Sequence, residues 1–266
     1  MSDVILRFVH ISDTHISPNP DYGHPHTPYN TRQGAEALVQ QLKALPFKPD
    51  FILHTGDVAY DPDPTAYDTA LAVLGELPYP IYYVGGNHDY PSELQRIMLG
   101  REDVTPTFHY SFEVNGVQVA VLDSDGHEDP PRGIVTPEQI TWLEGLCAAE
   151  DERPLIVAVH HNVLPVGIPW LDDYMILKNG EEVHRALLPA RHRLRGVFFG
   201  HVHQNIDIYR DGILYSSTLS SWNQFHAWPD QVDTIPDADA DPGFSVVTLT
   251  RDTTYIRRCR YRFQQP

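Results

Sequence analysis

Five times along this chain a short, β-rich apolar run stops at aspartate, histidine or asparagine. Val4 to Ile11 runs into Ser12-Asp13-Thr14-His15, and residues 50–54 into Thr55-Gly56-Asp57. Residues 81–84 run into Gly85-Gly86-Asn87-His88, residues 155–159 into His160-His161, and residues 197–199 into Gly200-His201-Val202-His203. Ligands of α/β sheets bind outside the carboxyl ends of the strands, where loops converge. Five strand ends carrying oxygen and nitrogen ligands therefore constrain the fold to one that gathers them. Residues two apart in an extended segment face the same way, so Asp13/His15 and His201/His203 can each address one cavity. A lone Asp-x-His or Gly-Asp is ordinary turn chemistry. All five motifs, each behind an apolar run, are not.

Between these strands the pattern first alternates. Gln33 to Leu45 has helical spacing, and Asp63-Pro64 opens a second helix to about Leu77, as an N-cap followed by proline at the first helical position. Residues 107–114 and 117–123 then alternate in polarity around Asn115-Gly116, a hairpin signal. Thr136-Pro137-Glu138-Gln139 opens a helix to Ala149, and Glu181 to Leu188 is helical. Residues 206–209, 214–217, 245–249 and 254–259 read as further strands. Alternation followed by hairpins implies an α/β fold with two sheets and helices outside. No repeat or linker divides the chain, so residues 1–266 are expected to form one domain.

The ligand chemistry is specific. The chain has 15 histidines against 3 methionines and 2 cysteines, and histidine is the commonest metal ligand. Imidazoles mixed with aspartates and one asparagine amide suit manganese, iron, cobalt or zinc better than calcium or magnesium. There are too many ligands for one tetrahedral ion. Two ions sharing a carboxylate would use them all, and two metals about 3.5–4 Å apart can clamp the attacking and leaving oxygens of a displacement at phosphorus.

These motifs resemble the calcineurin-like metallophosphoesterases, whose pattern is D-x-H, G-D, G-N-H-D/E, a lone H and G-H-x-H. Here they stand as Asp13-Thr14-His15, Gly56-Asp57, Gly86-Asn87-His88-Asp89, His160 and Gly200-His201-Val202-His203. Leu164-Pro165-Val166-Gly167 with Trp170-Leu171-Asp172, and Gln204 after the last motif, are similar to bacterial class III cyclic-nucleotide phosphodiesterases and their glycerophosphodiesterase relatives. The resemblance implies an αββα sandwich of two mixed β-sheets flanked by helices. It implies one metal on Asp13, His15, Asp57 and His203, and a second on Asp57, Asn87, His160 and His201. Asp57 would bridge them together with a hydroxide that attacks phosphorus. His88 would lie over the leaving oxygen, and Asp89 would orient His88. The family often has His-His-Pro where this chain has His160-His161-Asn162. His160 directly follows the strand and is taken as the ligand, with Asn162 free to reach substrate.

Composition narrows the substrate. A net charge of −17 without a basic stripe argues against long nucleic acids. The basic runs 191–195 and 257–262 read as solvated faces. No run is long enough to span a membrane, and Met1-Ser2-Asp3 opens no secretory signal. With only Cys147 and Cys259, a cytoplasmic location is expected. None of the five motifs contains Arg or Lys. A phosphomonoester dianion usually wants such clamps, so the expected substrate is a small diester, first a 3',5'-cyclic nucleotide and second a glycerophosphodiester. A monoesterase or phosphoprotein phosphatase ranks next, and a non-catalytic scaffold last. Loops 17–31 and 222–242 are aromatic and adjoin strand ends. Tyr22, Tyr29, Trp222, Phe225 and His226 are candidate substrate contacts. The same rings suit a contact between two copies, which makes a homodimer the favoured assembly. His54, His109, His127, His184 and His192 are expected to be structural or surface residues, and His24 and His26 are secondary candidates to approach the site from loop 17–31.

Overall fold

The computed structural model describes residues 3–23, 26–27, 29–60, 64–125, 129–148 and 150–263. The first half runs β1 (Val4–Ile11), α1 (Thr31–Lys43), β2 (Phe51–His54), α2 (Pro64–Leu74), β3 (Ile81–Tyr83) and α3 (Pro91–Glu93), which widens into a π-helical turn over Leu94–Met98. The second half runs β4 (Tyr110–Val114), β5 (Val117–Val121), α4 (Pro137–Ala148), β6 (Leu155–Ala158), α5 (Pro169–Tyr174), α6 (Gly180–Leu187), β7 (Leu194–Phe199), β8 (Asp207–Arg210), β9 (Ile213–Ser217), β10 (Gly243–Thr250) and β11 (Thr254–Arg260).

Two mixed sheets result. One has the order β11-β10-β1-β2-β3, the other β4-β5-β6-β7-β9-β8. The β1/β2, β2/β3, β5/β6, β6/β7 and β7/β9 pairs are parallel, and hairpins add antiparallel edges. Asn115 and Gly116 close β4 on β5 with φ of 52° and 77°, both in the left-handed region that a two-residue hairpin turn requires.

The layers follow from side-chain alternation. Leu6 and Phe8 of β1 point between the sheets, where Phe51, Leu53, Val119, Val121, Ile156, Phe198 and Val247 meet them. Val9 and Ile11 point the other way, beneath Leu38 and Leu42 of α1 and Tyr67 and Leu74 of α2. A third core packs Val157, Val197 and Phe199 under Leu143 of α4, Leu171 of α5 and Val183 of α6. Three cores make four layers, the αββα sandwich.

Three local features depart from the sequence reading. Helix α2 stops at Leu74, just before Gly75. The turns at Pro91–Met98 and Pro169–Tyr174 were not foreseen, being too short to show a helical period. The Asp63 cap lies outside the described residues.

Candidate metal centre and active site

The carboxyl ends of β1, β2, β3, β6 and β7 converge where the two sheets meet. The loop after β1 continues to pair with the loop after β2: Asp13 N–H donates to Gly56 O (3.0 Å), His15 N–H to Asp57 O (2.9 Å) and Ile16 N–H to Val58 O (2.9 Å). Asp13, from the first sheet, accepts the backbone N–H of His201, from the second, at 3.1 Å. Asp57 accepts the N–H of His88 at 2.9 Å.

Asp13, His15, Asp57, His201 and His203 all have positive φ, between 44° and 66°. This region is sparsely populated for residues other than glycine, and such conformations cost on the order of 1–3 kcal/mol each. The fold holds these side chains in place before any ligand arrives. Two glycines make room for them. A Cβ on Gly86 would overlap the Asp57 carboxylate, and one on Gly200 would overlap the Ser12 hydroxyl.

Three groups each bring their ligand atoms within 4.8 Å of one another: Asp13/His15/His203, His15/Asp57/His88 and Asp57/His160/His201. His160 Nδ1–H donates to Thr55 O at 2.7 Å, and His203 Nδ1–H to Asn223 O at 2.8 Å. In their neutral forms both rings therefore present an Nε2 lone pair. The lone pair of His160 faces Asn87 Oδ1 at 3.1 Å and Asp57 Oδ2 at 3.3 Å. That of His203 faces Asp13 Oδ1 at 3.4 Å and His15 Nε2 at 3.1 Å. Acceptors converging on acceptors repel unless a cation lies among them. Protons can take that place: burial alone would lower His160, but the Asp57 and Asp13 carboxylates push it up to about 9. Burial holds His15 down at about 3 and His201 well below the ordinary histidine range, so both are neutral, the form that binds a metal. The buried Nδ1 of His15 and Nε2 of His201 have no hydrogen-bond partner among the described residues. The donor set fits metal ions.

Other sequence candidates fall differently. Asp89 does not orient His88. Its buried carboxylate accepts the backbone N–H groups of Val58, Ala59 and Gly86 and the hydroxyl of Tyr67, each at 3.1 Å. It ties the Asp57 loop to the Asn87 loop instead. The His161 ring packs 4.4 Å from that of His201, but both its nitrogens are engaged elsewhere, with Ser124 Oγ at 2.8 Å and Pro131 O at 3.0 Å. His54 is buried against Thr14, His184 bonds Tyr215 and Asp211, and His109 and His192 bond within their own loops. His24 and His127 lie outside the described residues.

A cavity of about 470 Å³ opens onto the cluster. Trp222 and Phe225 line it, as expected, together with Tyr60, Trp170, Tyr174 and Met175. Tyr22 is one ring behind, stacked on Tyr60 at 4.5 Å. Tyr29 is not a wall residue. It is buried over Phe263, with ring centroids 4.2 Å apart. His226 faces Asp237, 3.6 Å away, and does not line the cavity. Asn162 is fully buried, its amide donating to Leu164 O. His26 is exposed and borders no part of the cavity. A larger cavity of about 620 Å³, between Arg7, Phe47, Tyr255 and Arg257, lies at the opposite end of the first sheet and borders none of these residues.

Residues 6–205 match the calcineurin-like phosphoesterase family. The chain belongs to this family. Its membership fixes the class of reaction, hydrolysis of a phosphoric ester. Among curated relatives, the chain is 28% identical over 264 residues to the 3',5'-cyclic adenosine monophosphate phosphodiesterase CpdA of Vibrio vulnificus, covering 97% of this chain and 92% of the relative. It is 30% identical over 206 residues to the glycerophosphodiester phosphodiesterase GpdQ of Enterobacter lignolyticus, covering 74% and 71%. A dimetal phosphatase from Danio rerio has the same fold, with a TM-score of 0.68, 15% identity and 98% of each chain covered. Among the described residues of this calcineurin-like chain, no helix is long and apolar enough to cross a membrane.

Proposed function

We propose that this chain is a dinuclear metal-dependent phosphodiesterase for small diesters, with 3',5'-cyclic nucleotides as its preferred class. Asp13, His15, Asp57 and His203 would hold one ion, and Asp57, Asn87, His160 and His201 the other. When bound, the ions supply Lewis-acid charge to the phosphoryl oxygens and acidify water. The chain's own residues do the rest. Thr55 O and Asn223 O fix the tautomers of His160 and His203. Asp57, with a carboxyl held well below its usual range by His160 against the opposing effect of burial, stays ionised. His88, at the cavity wall beside the cluster, stabilises the leaving oxygen or gives it a proton.

The observation that carries the diester reading is the cavity lining. No Lys or Arg borders it among the described residues, whereas Tyr60, Trp170, Tyr174, Trp222 and Phe225 do. A dianionic monoester would lack its cationic clamps there, and a monoanionic diester with a flat leaving group would gain a stacking wall. The volume is within the usual ~300–1,000 Å³ of small-ligand sites. The cyclic AMP phosphodiesterase of Vibrio vulnificus, as a relative, supports the same reading. Glycerophosphodiester hydrolysis is the second reading, supported by the Enterobacter lignolyticus relative.

A substrate panel tests this choice. Cyclic AMP should have a higher kcat/KM than glycerophosphodiesters, and p-nitrophenyl phosphate should be poor. Removing rings at the cavity mouth, as in Tyr174→Ala with Phe225→Ala, should raise KM for cyclic AMP. Stacking worth ~1–3 kcal/mol corresponds to roughly 5- to 150-fold. A small dialkyl phosphate should be nearly unaffected. Equal effects on both substrates would refute the base-reading wall.

A further inference from the structure

His88 has lost the carboxylate partner that the sequence suggested, yet its ring is not loose. Tyr60 lies flat against it, with centroids 5.1 Å apart and planes 19° from parallel. His15 meets it edge-on at 5.1 Å and 79°. Tyr22 covers the next face of the column, stacked on Tyr60 at 4.5 Å and 30°. Trp222 closes the cluster, 5.9 Å from both Tyr22 and Tyr60. The backbone beneath is fixed as well. Tyr60 N–H donates to Ile16 O at 3.2 Å, and the preceding residues, Val58 and Ala59, donate to the Asp89 carboxylate.

We propose that Tyr60, backed by Tyr22, is the positioning residue for His88, and that Tyr22 serves the site through this three-ring stack rather than by touching substrate. This rests on His88 acting at the leaving oxygen. A flat contact fixes the plane of an imidazole but leaves both ring nitrogens free for other partners. A carboxylate would instead engage one nitrogen and bias the tautomer. An aromatic support thus suits a histidine whose ring nitrogen must stay free to face the leaving oxygen. Asp89 then acts on His88 at one remove, by holding the loop that carries Tyr60.

The test uses the metal-loaded full chain, with Tyr60→Leu, Tyr60→Phe, Tyr22→Leu and His88→Ala. Tyr60→Leu should keep metal content and lower kcat on a dialkyl diester roughly 10- to 100-fold, the range seen when an orienting partner is lost. Its loss on bis(p-nitrophenyl) phosphate should be smaller, because nitrophenolate leaves without protonation. Tyr60→Phe keeps the ring and should restore the alkyl rate, and Tyr22→Leu should give a weaker version of the Tyr60→Leu defect. Proton NMR of the zinc-loaded protein supplies a second readout. The His88 ring protons, identified by their absence in His88→Ala, should be shifted upfield by the stacked ring and lose that shift in Tyr60→Leu but not in Tyr60→Phe. If His88→Ala is sensitive to the leaving group while Tyr60→Leu behaves like wild type with the ring shift unchanged, the positioning role is wrong and the role of His88 stands. If His88→Ala itself shows no leaving-group dependence, the proton-donor role of His88 fails, and the positioning role with it.

Discussion

Asp57→Asn is expected to release or weaken both metal ions and to lower turnover by more than about 10³-fold. Removing one charge-stabilising donor from a site costs ~10²–10³-fold, and Asp57 serves two ligand groups at once. Its Oδ2 faces His160 at 3.3 Å and His15 at 3.7 Å. Asparagine is a fair test because it keeps an Oδ1 acceptor for the N–H of His88, now 2.9 Å away, so the loop has reason to stay. What is lost is the negative charge. Circular dichroism should remain that of the wild type while elemental analysis shows the metals depleted. A variant that keeps both ions and full turnover would remove Asp57 from its shared position.

Replacing His88 by alanine should produce the second large effect. Loss of a general acid typically costs ~10²–10⁴-fold. The deficit should reach that range on alkyl leaving groups and shrink on bis(p-nitrophenyl) phosphate. Metal content separates this role from ligation, which the closeness of His88 to His15 and Asp57 makes a real alternative. Retained metals with leaving-group-dependent loss support the role at the leaving oxygen. Lost metals would make His88 a ligand instead, and equal losses on both substrates would leave it only charge stabilisation.

The fold and the ligand cluster were largely legible because their signals are local. A strand is read from a few alternating residues, and Asp13, His15, Asp57, Asn87, His160, His201 and His203 each announce themselves beside a strand end. Asp89 was misread because its partners are backbone amides of Val58 and Ala59, about thirty positions upstream, and an amide leaves no signature in sequence. Tyr29 and Tyr22 share one loop, yet Tyr29 is buried over Phe263 while Tyr22 stacks toward the site. Aromatic content gives no side for a ring in an irregular segment. Tyr60 was missed altogether, although its place three residues after Asp57, on the same loop, was a usable signal. The walls built from Tyr174 and Met175 depend on how α5 packs under loop 222–242, as in the bond from Trp170 N–H to Gln231 O at 3.2 Å. Contacts of that sequence separation are set by the tertiary fold.

The converging aspartates, histidines and asparagine are proposed to hold two metal ions on which hydrolysis depends. The most direct measurement strips the purified chain with a chelator and titrates it with manganese or zinc, following bound metal and hydrolysis of bis(p-nitrophenyl) phosphate together. Activity should be absent at the start, rise with added metal and level off at two equivalents per chain. Full activity in the stripped protein, or binding of two equivalents of metal without any hydrolysis, would contradict this proposal.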